Sequence, residues 1–271
     1  MREFQISVLA ASLIFAVALA APSVRPKTQS PPPDTSRTPV LVELFTSEGC
    51  SSCPPADTIL QKLVERQPIS NADVIAIEEH VDYWNHDGWI DPFSSVEWTD
   101  RQMIYSPLTN DTGPYTPEMV VDGKTSFAAA DPPKVVSSIE AAAATHKVEV
   151  SISAEGVAEK NSREFNVTVG KLISPPAGDS AEVWLAVTED GLRSSVSAGE
   201  NAGHALTHVA TLRTMHKIGV TGANAAQNSF SSRTRVKFDS HWNAANLHVI
   251  VFVQEKKSHA ILGVASAKLA G

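Results

Sequence analysis

Hydrophobic and polar positions change rhythm twice along this chain. Residues 6–20, "ISVLAASLIFAVALA", form an unbroken apolar run. Residues 40–46, "VLVELFT", are apolar with a single charge, the pattern of a strand buried on both faces. In "PADTILQKLVERQ" (55–67), Ile59, Leu60, Leu63 and Val64 fall at helical spacing. "ADVIAIEEHV" (72–81) reads as a second buried strand, and residues 94–108 as a helix. "PEMVVDGKTSFA" (117–128) reads as a hairpin turning at Asp122-Gly123. "DPPKVVSSIEAAAAT" (131–145) reads as a helix capped by Asp131, with proline in its first turn. From about residue 146 the runs shorten and alternate. "KVEVSISAE", "EFNVTVG", "AEVWLAVTED", "HALTHVATL", "RTRVKFD", "NLHVIVFVQE" and "AILGVASAK" are separated by turn-rich stretches such as "SPPAGDS". The first pattern predicts an α/β domain over residues 39–145, a sheet covered by helices. The second predicts an all-β, sandwich-like domain over residues 146–271.

The apolar run follows Arg2 and ends at the small residues "ALAAP", which predicts a secretory signal peptide over residues 1–21. The run is short for a spanning helix, which needs about 20 residues, and an uncleaved anchor is the alternative reading. No other segment could cross a membrane, so no stable span is expected after cleavage. Residues 22–38 read as a Pro/Ser-rich linker. The expected location is therefore exported, periplasmic or extracellular, where a close thiol pair can be oxidised and remain so. The formal net charge of −8 gives no basic footprint, so no nucleic acid partner is expected.

The stretch "ELFTSEGCSSCPP" (43–55) holds both cysteines of the protein, Cys50 and Cys53. They follow a predicted buried strand and immediately precede a predicted helix, and Gly49 permits a tight turn. Two intervening residues let the sulfurs meet within one turn. The exchange-active species is a thiolate, and a helix N-terminus favours that anion. The spacing points to Cys50 as attacking and Cys53 as resolving cysteine of a thiol–disulfide oxidoreductase. That chemistry requires a foreign sulfur to reach Cys50; a pair buried away from solvent argues instead for a structural bridge. Pro54 and Pro55 predict either a regular helix that starts near 54, which would leave Cys53 outside it, or a distorted first turn.

A CxxC between strand and helix in a βαβ pattern resembles thioredoxin-like proteins. That resemblance implies a cis-proline facing the disulfide, which "YTPEMVVDG" would supply as Pro117, with Thr116 contacting substrate backbone. It also implies a buried acid that moves the resolving cysteine's proton, a place matched by Glu43. A charge in a buried strand is costly and demands a role or a partner. The motifs "ELFTSEGCSSCPPAD", "HVDYWNHDGWIDPF", "YTPEMVVDG" and "GENAG", in order, resemble an exported bacterial family known as domain of unknown function 1223. The resemblance covers roughly residues 38–267. It implies a thioredoxin-like domain with a C-terminal extension and brings no established reaction.

The loop "EEHVDYWNHDGWIDPF" (78–93) leaves the predicted second strand at the same edge as the cysteines. It predicts a substrate-facing wall, with His80 or His86 near the sulfurs and Trp84 among its aromatics; the plainer expectation is a loop that packs its own rings. Thiolates with an imidazole could also hold copper or zinc, as in thioredoxin-like copper chaperones, though the cysteine spacing there is usually longer. No metal ligand set and no cofactor is assigned. His204, His208 and His216 read as satisfied or exposed histidines, and "AGENAGHAL" (198–206) as a contact between domains. The expected partners are an exported protein or thiol substrate and a redox partner. The alternative is a non-enzymatic binding protein with a structural disulfide.

Overall fold

Strands β1 (Thr38–Thr46) and β2 (Ala72–His80) pair in parallel, from Thr38 against Ala72 to Thr46 against His80, and helix α1 (Pro54–Arg66) connects them. The computed structural model describes Met1 and residues 37–109, 113–172, 180–222 and 228–270. Apart from Met1, the expected signal peptide and the expected linker up to residue 36 lie outside the described residues. Among the described residues no helix is long and apolar enough to cross a membrane.

Helix α2 (Val96–Met103) follows β2, with Ser95 accepting a hydrogen bond from the Glu97 N–H as its N-cap. The hairpin of β3 (Glu118–Val121) and β4 (Thr125–Ala128) then adds to β1 antiparallel, and α3 (Pro132–Ala143) follows with its Asp131 cap. Asp122 and Gly123 both have positive φ, as a tight two-residue hairpin turn demands. A Cβ on Gly123 would lie 2.0 Å from the His259 carbonyl oxygen, so the turn is wedged against the chain before the last strand. Gly123→Ala is expected to cost roughly 2–4 kcal/mol, from the strained φ plus the forced retreat, as read by denaturant unfolding.

The later strands do not form a separate sandwich. They are β5 (Val150–Glu159), β6 (Ser162–Val169), β7 (Ala181–Glu189), β8 (Leu192–Ser195), β9 (Ala205–His208), β10 (Thr211–Thr221), β11 (Phe230–Lys237), β12 (Leu247–Glu255) and β13 (Ile261–Lys268). Four of them extend the first sheet, whose order is β13-β12-β7-β10-β2-β1-β3-β4. A three-stranded sheet, β11-β6-β5, and the β8-β9 ribbon complete the strands. The expectation of an α/β thioredoxin-like domain followed by an all-β sandwich-like domain is therefore overturned. The molecule is mostly β, built on one large mixed sheet of eight strands with few helices. The physical reason lies in β10, which meets β2 through one parallel pair, Thr211 against Glu78, and through the Glu78 N–H donating to the Ala210 carbonyl. That short seam turns two sheets into one.

Side-chain alternation assigns the faces. Val40, Val42 and Leu44 of β1 join Val74 and Ala76 of β2 under α1 and α3. On the same sheet, Val183, Leu185, Val249 and Val251 pack against Phe165 and Val167 of the three-stranded sheet. Leu41, Ile75, Ile77, Trp98, Phe252 and Ile261 fill the other face, drawing on both halves of the sequence. The parity of β2 sends Glu78 and His80 to the α1 side and Glu79 to the α2 side, and the parity of β1 sends Glu43 to the α2 side.

Candidate functional site

The turn after β1 carries the cysteines, and they are joined as a disulfide, Cys50–Cys53. Cys53 is the N-cap residue of α1 and makes no side-chain cap bond; the helix begins at Pro54, as the two prolines require. Cys50 thus stands four positions ahead of the first helical residue, further from the helix's positive end than a cysteine in the first turn. Gly49 serves close packing: a Cβ there would lie 3.0 Å from the Trp84 Cβ. Both sulfur residues are buried, Cys50 1% exposed and Cys53 0%, while Ser51 and Ser52 between them are exposed.

The segment between β8 and β9 reaches the backbone of the disulfide turn. Asn201, itself buried, donates from Nδ2 to the carbonyls of Glu48 (2.9 Å) and Cys50 (3.0 Å). The Ser51 N–H donates to Glu200 Oε2 at 3.0 Å. The "GENAG" stretch is therefore in contact with the disulfide turn itself. Asp57, one helical turn after Cys53, is buried and accepts a hydrogen bond from Thr46 Oγ1 at 2.7 Å. Burial, then the charge of Glu78, pushes its carboxyl up to about 7, against the opposing pull of His208 and Thr46. No sequence motif pointed to Asp57; its place at the fourth position after Cys53 on a helix, the same face one turn on, is the signal that could have found it.

Glu43 lies on the opposite side of the sheet from α1. Arg101 Nε donates to its Oε1 at 2.7 Å and Tyr105 Oη donates to its Oε2 at 2.7 Å. Its demand for a partner is met by an ion pair. Glu79 lies 3.4 Å from Arg101 Nε, and burial, only partly offset by Arg101, raises its carboxyl well above the ordinary range.

Trp84 Nε1 donates to Thr116 Oγ1 at 2.8 Å, which ties the loop after β2 to the dipeptide before β3. The Thr116-Pro117 peptide is cis. Thr116 is half-buried and Pro117 buried. His86 is exposed and pairs with Asp87. Two of the loop's rings reach inward while Ile90 stays exposed: Trp89 Nε1 donates to Glu48 Oε2 at 2.8 Å, and Phe93 packs edge-on against the rings of both His80 and His208.

His80 is fully buried and does not face a substrate surface. Its Nδ1 lies 2.7 Å from Asp91 Oδ2, and its Nε2 faces Glu78 Oε2 at 3.4 Å. His208 arrives from β9 and spans Glu48 and Glu78, at 3.1 Å from Nε2 and 3.3 Å from Nδ1. Asp91 also accepts from the Glu48 N–H at 2.8 Å, so the cluster abuts the residue two before Cys50. Burial alone would push both imidazoles down. Asp91 and Glu78 outweigh it at His80, raising it to about 9; Glu78 and Glu48 do so at His208, raising it to about 11. Burial pushes Glu78 up, and the two histidines, His208 foremost, bring it down to about 2.

A family match runs over residues 41–254, which takes in the disulfide turn, the buried cluster and both halves of the large sheet. The chain belongs to the DUF1223 family of proteins of unknown function. Two solved structures share the fold of this DUF1223 protein. Protein AGR_C_4864 from Agrobacterium tumefaciens is 23% identical with a TM-score of 0.62, covering 85% of this chain and 94% of its own. HBP35 of Porphyromonas gingivalis is 18% identical with a TM-score of 0.64, covering 86% of this chain and 75% of its own. No curated protein matches the chain.

Proposed function

We propose that this DUF1223 protein is an exported thiol–disulfide oxidoreductase whose disulfide is open to exchange only when the segment around Asn201 moves aside. The observation that carries the reading is the bonded Cys50–Cys53 pair at a strand-to-helix junction, with a buried acid, Asp57, one turn beyond Cys53. A dithiol of an exported protein would attack Cys50 Sγ as thiolate. The Cys50–Cys53 bond breaks, and Cys53 leaves as thiolate, taking a proton from Asp57. The second substrate thiolate then attacks the mixed disulfide and releases Cys50, so two electrons pass to the pair and the substrate leaves oxidised. The apolar run after Arg2 supports a place outside the cytoplasm, where the disulfide of a redox partner of higher potential would take the two electrons and re-form the Cys50–Cys53 bond.

The burial of both cysteines favours a second reading, in which the disulfide is structural and the protein binds without exchanging. Against it, a loop this short gives a weak staple: chain-entropy arithmetic allows about 2 kcal/mol. Titration of the protein in glutathione buffers, with Cys50 alkylation followed by mass, separates the two. The exchange reading expects a potential well above about −300 mV and a rapidly alkylated Cys50 in the reduced protein. A potential below that value, with Cys50 alkylated no faster than Cys53, establishes the structural bridge and removes the enzyme.

A further inference from the structure

Glu78 and His80 stand two apart on β2, so their side chains share one face, and His208 of β9 meets them there. One oxygen of Glu78 and one ring nitrogen of each histidine lie within 4.8 Å of one another, all in buried residues. The remaining ring nitrogens are occupied by carboxylates, His80 Nδ1 by Asp91 and His208 Nε2 by Glu48. This leaves His80 Nε2 and His208 Nδ1 directed at Glu78. Thr211 Oγ1 donates to Glu78 Oε2 at 2.9 Å and fixes the carboxylate.

From this geometry we infer that Glu78, His80 and His208 bind a divalent zinc-class metal ion, with Asp91 and Glu48 orienting the two imidazoles. Three features carry it. First, His80 Nε2 has no hydrogen-bond partner although its side chain is fully buried, and it points into the cluster. A buried nitrogen without a partner is costly. Second, the contacts on the Glu78 side are the longest in the cluster, longer than charge-assisted hydrogen bonds usually run. Charge-assisted N–H···O bonds run at about 2.7–2.9 Å, which His80–Asp91 meets at 2.7 Å. The Glu78 contacts are 3.4 Å from Oε2 to His80 and 3.3 Å from Oε1 to His208, one to each carboxylate oxygen. Two ligands each about 2.0–2.1 Å from a tetrahedral zinc stand about 3.3–3.4 Å apart, so those contacts have the length of a coordination edge. Third, a carboxylate holding the far nitrogen of each ligating imidazole is the support that metal-bound histidines use. The two histidines have only to close toward each other around the ion. Two imidazoles and one carboxylate suit zinc, and the edge-on Phe93 ring supplies an apolar wall.

The site uses no thiolate and stands whether or not the disulfide exchanges. The experiment loads the full chain with Zn²⁺, dialyses it against non-chelating buffer and measures retained metal. One zinc per chain is expected, with the ring signals of His80 Nε2 and His208 Nδ1 moving to metal-bound positions in nitrogen NMR of the wild-type protein. Glu78→Gln and His208→Gln are expected to weaken binding by at least about tenfold, and Asp91→Asn by about 10- to 100-fold. The proposal is overturned if the wild-type chain retains no zinc, if zinc is retained while those two ring signals stay in place, or if the folded variants bind as tightly as wild type. The wild-type NMR decides the matter even where a variant fails to fold.

Discussion

Arg101→Ala is expected to destabilise the protein by about 3–5 kcal/mol, a fall in Tm on the order of 10 °C for a chain of this size. Arg101 is nearly buried and Glu43 and Glu79 are wholly so, on the α2 side of the sheet. The guanidinium gives Glu43 its charge partner, reaches Tyr105 Oη at 3.1 Å, and packs over the Phe252 ring at 5.2 Å. Removing it leaves the Glu43 carboxylate in a low-dielectric interior beside a second acid. Glu79 is already pressed toward its neutral form, so Glu43 bears the loss. The penalty is for an orphaned charge, so Arg101→Met combined with Glu43→Leu should restore most of the stability. Thermal and urea unfolding of the single and double variants check this. A single variant within about 1 kcal/mol of wild type would show that water reaches the cluster and that Glu43 needs no partner. The same experiment bears on Glu43 as a proton carrier for Cys53, since its carboxylate is committed to Arg101 on the far face from α1.

Much of the first half of the fold was legible because its signals are local. The helical spacing of Leu60 and Leu63, the Asp122-Gly123 turn, the Asp131 cap and the prolines after Cys53 each act within a few residues, and each appears where its chemistry puts it. The union of the two halves was not legible. β10 meets β2 through a single register pair, and no periodicity marks a strand as continuing a sheet begun more than 130 residues earlier. β7 and β12 alternate like sandwich strands because one face packs on the three-stranded sheet, yet their other face joins the common core with Leu41 and Ile77.

The site divides in the same way. Cys50 and Cys53 announce themselves, being adjacent in sequence. The Glu78–His80–His208 cluster does not, because His208 is 130 residues from Glu78 and 160 from Glu48. Taken alone, His208 looks like one more satisfied histidine. A clue was present in "EEH", three polar residues directly after the apolar run "VIAI": alternation sends Glu78 and His80 one way and Glu79 the other, so two separate buried polar clusters had to exist. Arg101 answers one and His208 the other.

Asn201→Ala is expected to speed reduction of the Cys50–Cys53 disulfide by a small thiol about tenfold under native conditions. In the proposed reading the segment around Asn201 covers the pair; Asn201 is buried, and its two hydrogen bonds end on carbonyls flanking Gly49. Losing two such bonds is worth about 1–3 kcal/mol, which raises the population of the displaced segment about 5- to 150-fold. Glu200→Ala removes only an exposed contact to Ser51 and should change the rate less than about threefold. The contrast matters because a general loss of stability would also hasten reduction. Rates are therefore measured across low denaturant concentrations. If reduction proceeds through local opening, the wild-type rate is nearly independent of denaturant and the Asn201→Ala rate is higher by a constant factor. A wild-type rate that climbs with denaturant in step with global unfolding would mean that the sulfurs meet solvent only when the whole sheet comes apart. The segment would then be no gate, and the buried pair would be a bridge whose work is finished once the chain has folded.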